Sequence, residues 1–207
     1  MSTATRVPQE ERTRAMRARL LEATVDCLVE HGFAHTSTTL VSERAGVSRG
    51  AQLHHFPTKN DLVVAAVGHL TEVRGAELAA AAARLPTGKR RTRAVLQMLA
   101  DHFTGPVFTA ALELWVAARS DAALLAAVAP LEQKVGRDTH RLTVDLLGAD
   151  ESRPGVRELV QATLDLVRGL GLANTISDDA RRRSRILDRW ALTLDAALAA
   201  SGPGGQL

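Results

Sequence analysis

The segment Thr38–Phe56 constrains this chain more than any other stretch of it. Two short helical patterns meet at Gly46, a residue able to take positive φ where the first helix stops. Leu40, Val41 and Ala45 mark an inward face on the first pattern, Val47 packs inward after the turn, and Ser48 can cap the second. The second pattern carries Arg49, Gln52, His54 and His55. A helix, a glycine turn and a polar second helix is the plan of a helix-turn-helix, whose second helix lies in the DNA major groove. An ordinary αα-hairpin of a core has the same outline, so the flanking sequence must separate the two.

Upstream, Arg12 to His31 is an amphipathic helix with Leu20, Leu21, Ala23, Thr24, Cys27 and Leu28 on one side, closed by Gly32-Phe33. Downstream, Phe56-Pro57 ends the second helix of the hairpin, and Thr58-Lys59-Asn60-Asp61-Leu62 starts another. The residues Gly32-Phe33, Thr36-Ser37-Thr38, Ala45-Gly46-Val47-Ser48-Arg49-Gly50, His54-His55-Phe56 and Lys59-Asn60-Asp61-Leu62 resemble the tetracycline-repressor (TetR-like) family of bacterial one-component regulators. The resemblance is specific over roughly residues 12 to 64 and architectural beyond them. Leu53 departs from it, because the family usually has Tyr there and this chain has no Tyr. Leu53 cannot make the phosphate hydrogen bond of a Tyr hydroxyl. Gln52 likewise replaces a commonly apolar residue.

Reading DNA requires cations against phosphates and a few bidentate or apolar groups at base edges. Arg49 opens the recognition helix, where its guanidinium can pair with a guanine or clamp a phosphate. Gln52 has the amide that suits adenine but can equally sit toward the hairpin interior. Gly50 permits close backbone approach, and Thr38 and Thr39 can donate to phosphate at a helix N-terminus. His54 and His55 point about 100° apart on a helix and cannot share a role. The resemblance implies that His54 faces DNA and that Lys59 contacts a phosphate. The expected DNA-binding set is therefore Thr38, Thr39, Ser48, Arg49, Gly50, Gln52, His54 and Lys59, with Arg6, Arg12 and Arg14 either non-specific contacts or solvated charge.

Composition narrows the remaining classes. Hydrophobic residues make up 45% of the 207 positions, Ala and Leu dominate and aromatics are 3%, which favours an all-α fold with an ample core. A net charge of +3 is compatible with nucleic acid without establishing it. The lone Cys27 rules out an internal disulfide and suits a reducing cytoplasm, where the protein is expected. No stretch approaches a membrane span, and the polar N-terminus does not read as a signal peptide. The seven histidines lack helical metal-ligand spacing with a carboxylate partner, and neither a nucleophile elbow nor a phosphate-binding glycine loop is present. No metal, no cofactor and no enzymatic activity are expected.

The pattern divides into a flexible arm (1–11), a three-helix helix-turn-helix module (12–58), a helical ligand-binding and dimerisation domain (59–200) and a disordered tail (201–207). Lys59 to Leu85 is one helix ended by Pro86-Thr87-Gly88, and the basic run Lys89-Arg90-Arg91-Thr92-Arg93 opens the next as a phosphate contact or a solvated cluster. Gly105-Pro106 breaks that helix, and Pro130 either starts a helix or kinks a longer one. Around these breaks, Phe103, Phe108, Leu112, Trp115 and Val128 are candidate walls of an effector site. His102, Glu113 and Arg119 are its polar groups, Arg119 suiting an acidic substituent. The last two helices carry broad apolar stripes that include Leu164, Val167, Trp190 and Leu194. The resemblance implies that they form a homodimeric four-helix bundle. The sequence thus reads as a homodimeric repressor that binds a palindromic double-stranded operator and is released by a small, mostly apolar molecule. Two alternatives remain: a DNA-binding regulator without a small-molecule effector, or a helical interaction or enzyme module that does not bind DNA.

Overall fold

A computed structural model describes residues 9–200, apart from the side chains of Leu70 and Arg74. Most of the expected arm, with Arg6, and the whole expected tail lie outside the described residues. The described chain is all-α. Helix α1 spans Gln9–His35, α2 Thr38–Ala45, α3 Arg49–His55 and α4 Lys59–Ala82; after a 3-10 turn at Gly88–Arg90 come α5 Arg91–Phe103, α6 Pro106–Ala118, α7 Ala122–Leu147, α8 Val156–Asn174 and α9 Ala180–Ala200.

Local chemistry sets these boundaries. Gly32 interrupts α1 with φ 70° and ψ 172°, which leaves one further turn up to His35. The α4 N-terminus is a reciprocal cap: the Asp61 carboxylate accepts from the Thr58 N–H at 3.1 Å, and the Asp61 N–H donates to the Thr58 hydroxyl at 3.1 Å. Asp121 caps α7 by accepting from the Leu124 N–H at 2.9 Å. Of the two options at Pro130, the structure takes the long helix, with Pro130 inside α7. Having no N–H, Pro130 omits one rung of that helix's hydrogen-bond ladder.

The chain forms two compact units, one up to Glu72 plus Thr109–Pro130, the other Val73–Phe108 plus everything from Leu131. The unit holding the hairpin thus extends past residue 58 and takes in a later stretch of the chain. Its core includes Leu20, Leu21, Leu28, Val41, Leu62, Val63, Leu114 and Leu124, each at most 1% exposed. In the other unit, α5 packs on α8 and α9 through Val95, Leu96, Leu99, Val160, Val167, Leu187 and Leu194, all fully buried. Gly171 makes the α5–α8 contact possible: a Cβ there would lie 2.2 Å from the Phe103 carbonyl oxygen. The basic run is partly structural, since the Arg91 Nε donates to the Leu146 carbonyl at 2.8 Å and the Arg93 Nε to Asp188 at 2.5 Å.

Candidate functional site

The α2–α3 hairpin is built by consecutive caps. Ser37 accepts from the Leu40 N–H at 3.1 Å to start α2, and Gly46 ends it with φ 62°. The Gly46 N–H donates to Glu43 at 3.2 Å and the Val47 N–H to Ser42 at 3.0 Å, the paired closure of a Schellman motif. Ser48 then caps α3 through the Ala51 N–H at 3.3 Å. Val41, Ala45 and Val47 turn inward. A bidentate ion pair from Arg44 to Glu30 ties α2 to α1, with Nη1–Oε2 at 2.6 Å, and it holds the Glu30 carboxyl below the usual carboxylate range.

These anchors leave one continuous stripe of α3 in solvent: Arg49, Gly50, Leu53 and His54, adjoining the exposed Ser48. At the start of α2, Thr39 is exposed and Thr38 half-buried. Six of the eight expected DNA-binding residues lie here: Thr38, Thr39, Ser48, Arg49, Gly50 and His54. Gln52 is not among them. It is fully buried, and its Nε2 donates to the Phe56 carbonyl at 2.7 Å, so it secures the end of α3 and cannot reach a base edge. Its Oε1 is buried without a hydrogen-bond partner. Of the two positions open to Gln52, the interior is the one occupied.

Lys59 is also corrected. Its ammonium donates to the Phe33 carbonyl at 2.5 Å and lies 4.0 Å from the centre of the Phe33 ring. Burial pushes its pKa down. The Phe33 N–H donates at 3.0 Å to Glu113, whose carboxylate would lie 2.9 Å from a Cβ at Gly32. Lys59 and Glu113 are therefore both engaged at the Gly32–Phe33 corner rather than free on an exposed face. The sequence offered a signal for neither bond, because the partners are 26 and 80 residues apart.

The expected effector residues are divided between the two units. Phe103 and Phe108 are buried in the second unit, ring against ring at 5.3 Å. Leu112 and Trp115 are half-buried and Arg119 exposed, all three in the first unit. The second unit contains a cavity of about 550 Å³ walled by α4, α5 and the Gly105–Val107 corner. Among the expected residues only His102 lines it, beside Glu77, Leu78, Met98 and Asp101, which carry no motif or spacing that would single them out. A more polar cleft of about 370 Å³ lies where α7 faces the start of α8, and there His140 contacts Glu151 at 2.7 Å among Arg137, Arg141 and Arg157.

The expected dimer contacts need a similar correction. Leu164, Val167 and Leu194 are 3%, 0% and 0% exposed within the single chain and belong to its own core. Trp190 is half-buried, with Nε1 donating to the Thr163 hydroxyl at 3.1 Å. Leu172 and Leu192 remain exposed on α8 and α9.

Among the described residues no group of three His, Cys, Asp or Glu side chains could hold a metal ion, and no helix is long and apolar enough to cross a membrane. Cys27 is fully buried, and burial raises its thiol pKa.

Residues 20–66 match the family described as bacterial regulatory proteins, tetR family. The HTH-type transcriptional regulator CymR of Pseudomonas putida is 31% identical over 184 residues, covering 86% of this chain and 88% of that protein. A crystal structure of a protein from Pseudomonas aeruginosa PAO1, assigned as a transcriptional regulator, superposes with a TM-score of 0.70 at 26% identity, over 95% of each chain. The multidrug binding protein EbrR complexed with ethidium shares the fold, with a TM-score of 0.60 at 21% identity over 84% of this chain and 98% of its own. CymR and the Pseudomonas aeruginosa protein are both transcriptional regulators by name.

Proposed function

The chain belongs to the tetR family of bacterial regulatory proteins and is a transcriptional regulator, and from that premise we propose that it is a homodimeric repressor released from a palindromic operator by a small, mostly apolar effector. The module over 12–58 reads DNA, and the helices from 59 to 200 hold the effector and pair the subunits. The single observation that carries the reading is the outward stripe of α3. Arg49 brings a bidentate donor to a guanine edge or a phosphate, Gly50 lets the backbone approach, and His54 supplies a ring nitrogen. Leu53, 42% exposed, offers an apolar surface suited to a thymine methyl group where a Tyr hydroxyl would bond a phosphate. Ser48, Thr38 and Thr39 remain the proposed backbone contacts, and neither Gln52 nor Lys59 is retained.

Pairing through α8 and α9 is supported by what the subunit leaves uncovered. Leu159, Ala162, Leu166, Gly169 and Ala173 recur at alternating spacings of three and four and are half-buried or exposed. Half-buried Ile186, Trp190 and Ala197 continue the apolar surface on α9. Two such faces about a two-fold axis give a four-helix bundle and present two recognition helices to a palindrome.

The effector reading is supported by the second unit's cavity and by EbrR, whose structure holds ethidium. An effector releases DNA only if it binds the DNA-incompetent arrangement more tightly. The test is a gel-shift titration of the full-length chain on fragments upstream of its own gene, with and without candidate small molecules. Selective retardation of one fragment, reversed by a compound that binds the protein, supports the reading. Uniform retardation of all fragments contradicts it.

A further inference from the structure

The cleft between α7 and the start of α8 carries more positive charge than its own acids balance. Arg137, His140, Arg141 and Val144, at i, i+3, i+4 and i+7, bring one side of α7 to it, and Arg157 and Gln161, one turn apart, bring one side of α8. Glu151 is the one carboxylate on this lining, and a single oxygen of it, Oε1, serves both the His140 Nε2 at 2.7 Å and the Arg157 Nη1 at 3.3 Å. The acids nearest in sequence are engaged outside the lining: Asp138 with Lys134 at 3.8 Å and Asp150 with Arg153 at 2.9 Å. Arg137 and Arg141 have no hydrogen-bond or ion-pair partner among the described residues. Two like charges at i, i+4 on a helix repel each other, and nothing in the subunit offsets that repulsion. A Cβ at Gly136 would meet no atom within 4 Å, so the α7 wall leaves open space beside Arg137.

We propose that this cleft is a second ligand site, for a small phosphate monoester, with Arg137 and Arg141 on one side of the phosphoryl oxygens and Arg157 on the other. It shares no lining residue with the cavity between α4 and α5 and does not depend on what that cavity binds. A guanidinium fork offers two parallel N–H groups to an oxyanion, and a phosphate dianion has three oxygens to share among three forks where a carboxylate has two. Val144 is the one aliphatic side chain on the lining, so the rest of the ligand is compact and polar rather than a long hydrocarbon. Glu151 does not cancel the attraction: it positions His140 and Arg157, and three guanidiniums still face one carboxylate. All three arginines are exposed, so solvent screens each contact and each one's contribution is modest.

Calorimetric titration of the full-length chain with glycerol phosphate, succinate and glycerol tests this. The titrations are run well above the second phosphate pKa, about 6, so that the monoester is a dianion like succinate. Glycerol phosphate should bind at least about fivefold more tightly than succinate, and glycerol should give no heat of binding. Arg137→Gln and Arg141→Gln should each weaken the phosphate complex about fivefold, and the double variant at least about tenfold. In phosphate-free buffer the double variant should melt no lower than the parent, because a like-charged i, i+4 pair is gone. Added glycerol phosphate should raise the melting temperature of the parent and scarcely move that of the variant. Arg49→Ala, on α3, should bind glycerol phosphate like the parent. Changing Arg137 and Arg141 together to Lys keeps the charge and removes the forks, and should leave binding several-fold weaker. Lysines as good as arginines, with succinate bound as tightly as the phosphate, would reduce the cleft to diffuse attraction and overturn the proposal. Phosphate affinity unchanged in the double glutamine variant, or lost in Arg49→Ala instead, would overturn it too, as would parent binding weaker than about 10 mM. Operator affinity that falls in the double glutamine variant while glycerol phosphate stays unbound would make the cleft a nucleic-acid contact and refute the small-ligand site.

Discussion

The Lys59 ammonium lies 2.5 Å from the Phe33 carbonyl oxygen and 4.0 Å from the centre of the Phe33 ring. Together with Glu113 on the Phe33 N–H, it holds both polar groups of the residue that follows the left-handed Gly32. This corner fixes the last turn of α1 and, through it, the start of α2. Lys59→Met removes a charge-assisted hydrogen bond and a cation–π contact and should cost about 1–3 kcal/mol of stability. If Lys59 instead met a phosphate, the variant would melt like the parent and lower the salt slope of operator binding by about one. Thermal melts and a salt titration together decide between these.

Gly32→Ala should be as damaging as the loss of its clamp, since φ 70° strains any side chain and the new Cβ would lie 2.9 Å from the Glu113 carboxylate. Adding Glu113→Ala to it should cost less melting temperature than Glu113→Ala costs in the parent, because the collision is relieved while the backbone strain stays.

Much of the hairpin was legible because its signals are local. Ser37, Gly46 and Ser48 are caps whose chemistry needs only the next few residues, and the alternation of inward and outward positions on α3 follows from helical spacing. Gln52 was ambiguous for a physical reason: a side chain that can reach a base edge can also reach the Phe56 carbonyl four residues on, and burial decided which. The stripes of α8 and α9 do not by themselves separate core from interface, because sequence cannot tell which face of a broadly apolar helix a subunit covers itself. Leu164 and Leu194 go inside because α5 lies on that side. The cavity beside His102 is not legible in the sequence, because its α4 and α5 walls come together only in the folded unit, while Phe103 and Phe108 pack ring against ring.

Gln52→Ala should therefore lower stability by roughly 1–2 kcal/mol, through the lost bond to Phe56, without changing which base is preferred at any operator position. A changed preference in a binding-site selection would place Gln52 at a base edge after all.

The two kinds of apolar position on α8 and α9 should behave oppositely. Leu194→Glu buries a charge in the subunit core and should unfold the chain or leave it aggregated. Leu192→Glu and Leu166→Glu change uncovered positions and should leave the subunit helical but shift it toward monomer in light scattering. Dimers that withstand both latter substitutions would move the interface elsewhere.

Acid should act on Asp121. Its carboxyl is held below the usual range mainly by the Leu124 N–H, so folding favours the ionised form. The stabilisation is present above the unfolded carboxyl's pKa, about 4, and disappears as pH falls through the lower folded value. Asp121→Asn should flatten that part of the stability profile and leave the neutral-to-alkaline part unchanged in shape. An unaltered acid limb in urea melts would remove Asp121 from the account.

The central claim is that the outward stripe of α3 reads DNA as a pair. Footprinting on an operator recovered by genomic fragment selection tests it most directly, comparing the parent with Arg49→Ala. The account predicts two protected half-sites related by a two-fold axis, with centres about 34 Å apart or at a longer in-phase spacing, and a loss of roughly 1–3 kcal/mol for Arg49→Ala. A selection that enriches no palindrome, or an Arg49→Ala variant that protects the same bases at the same concentration, would contradict it.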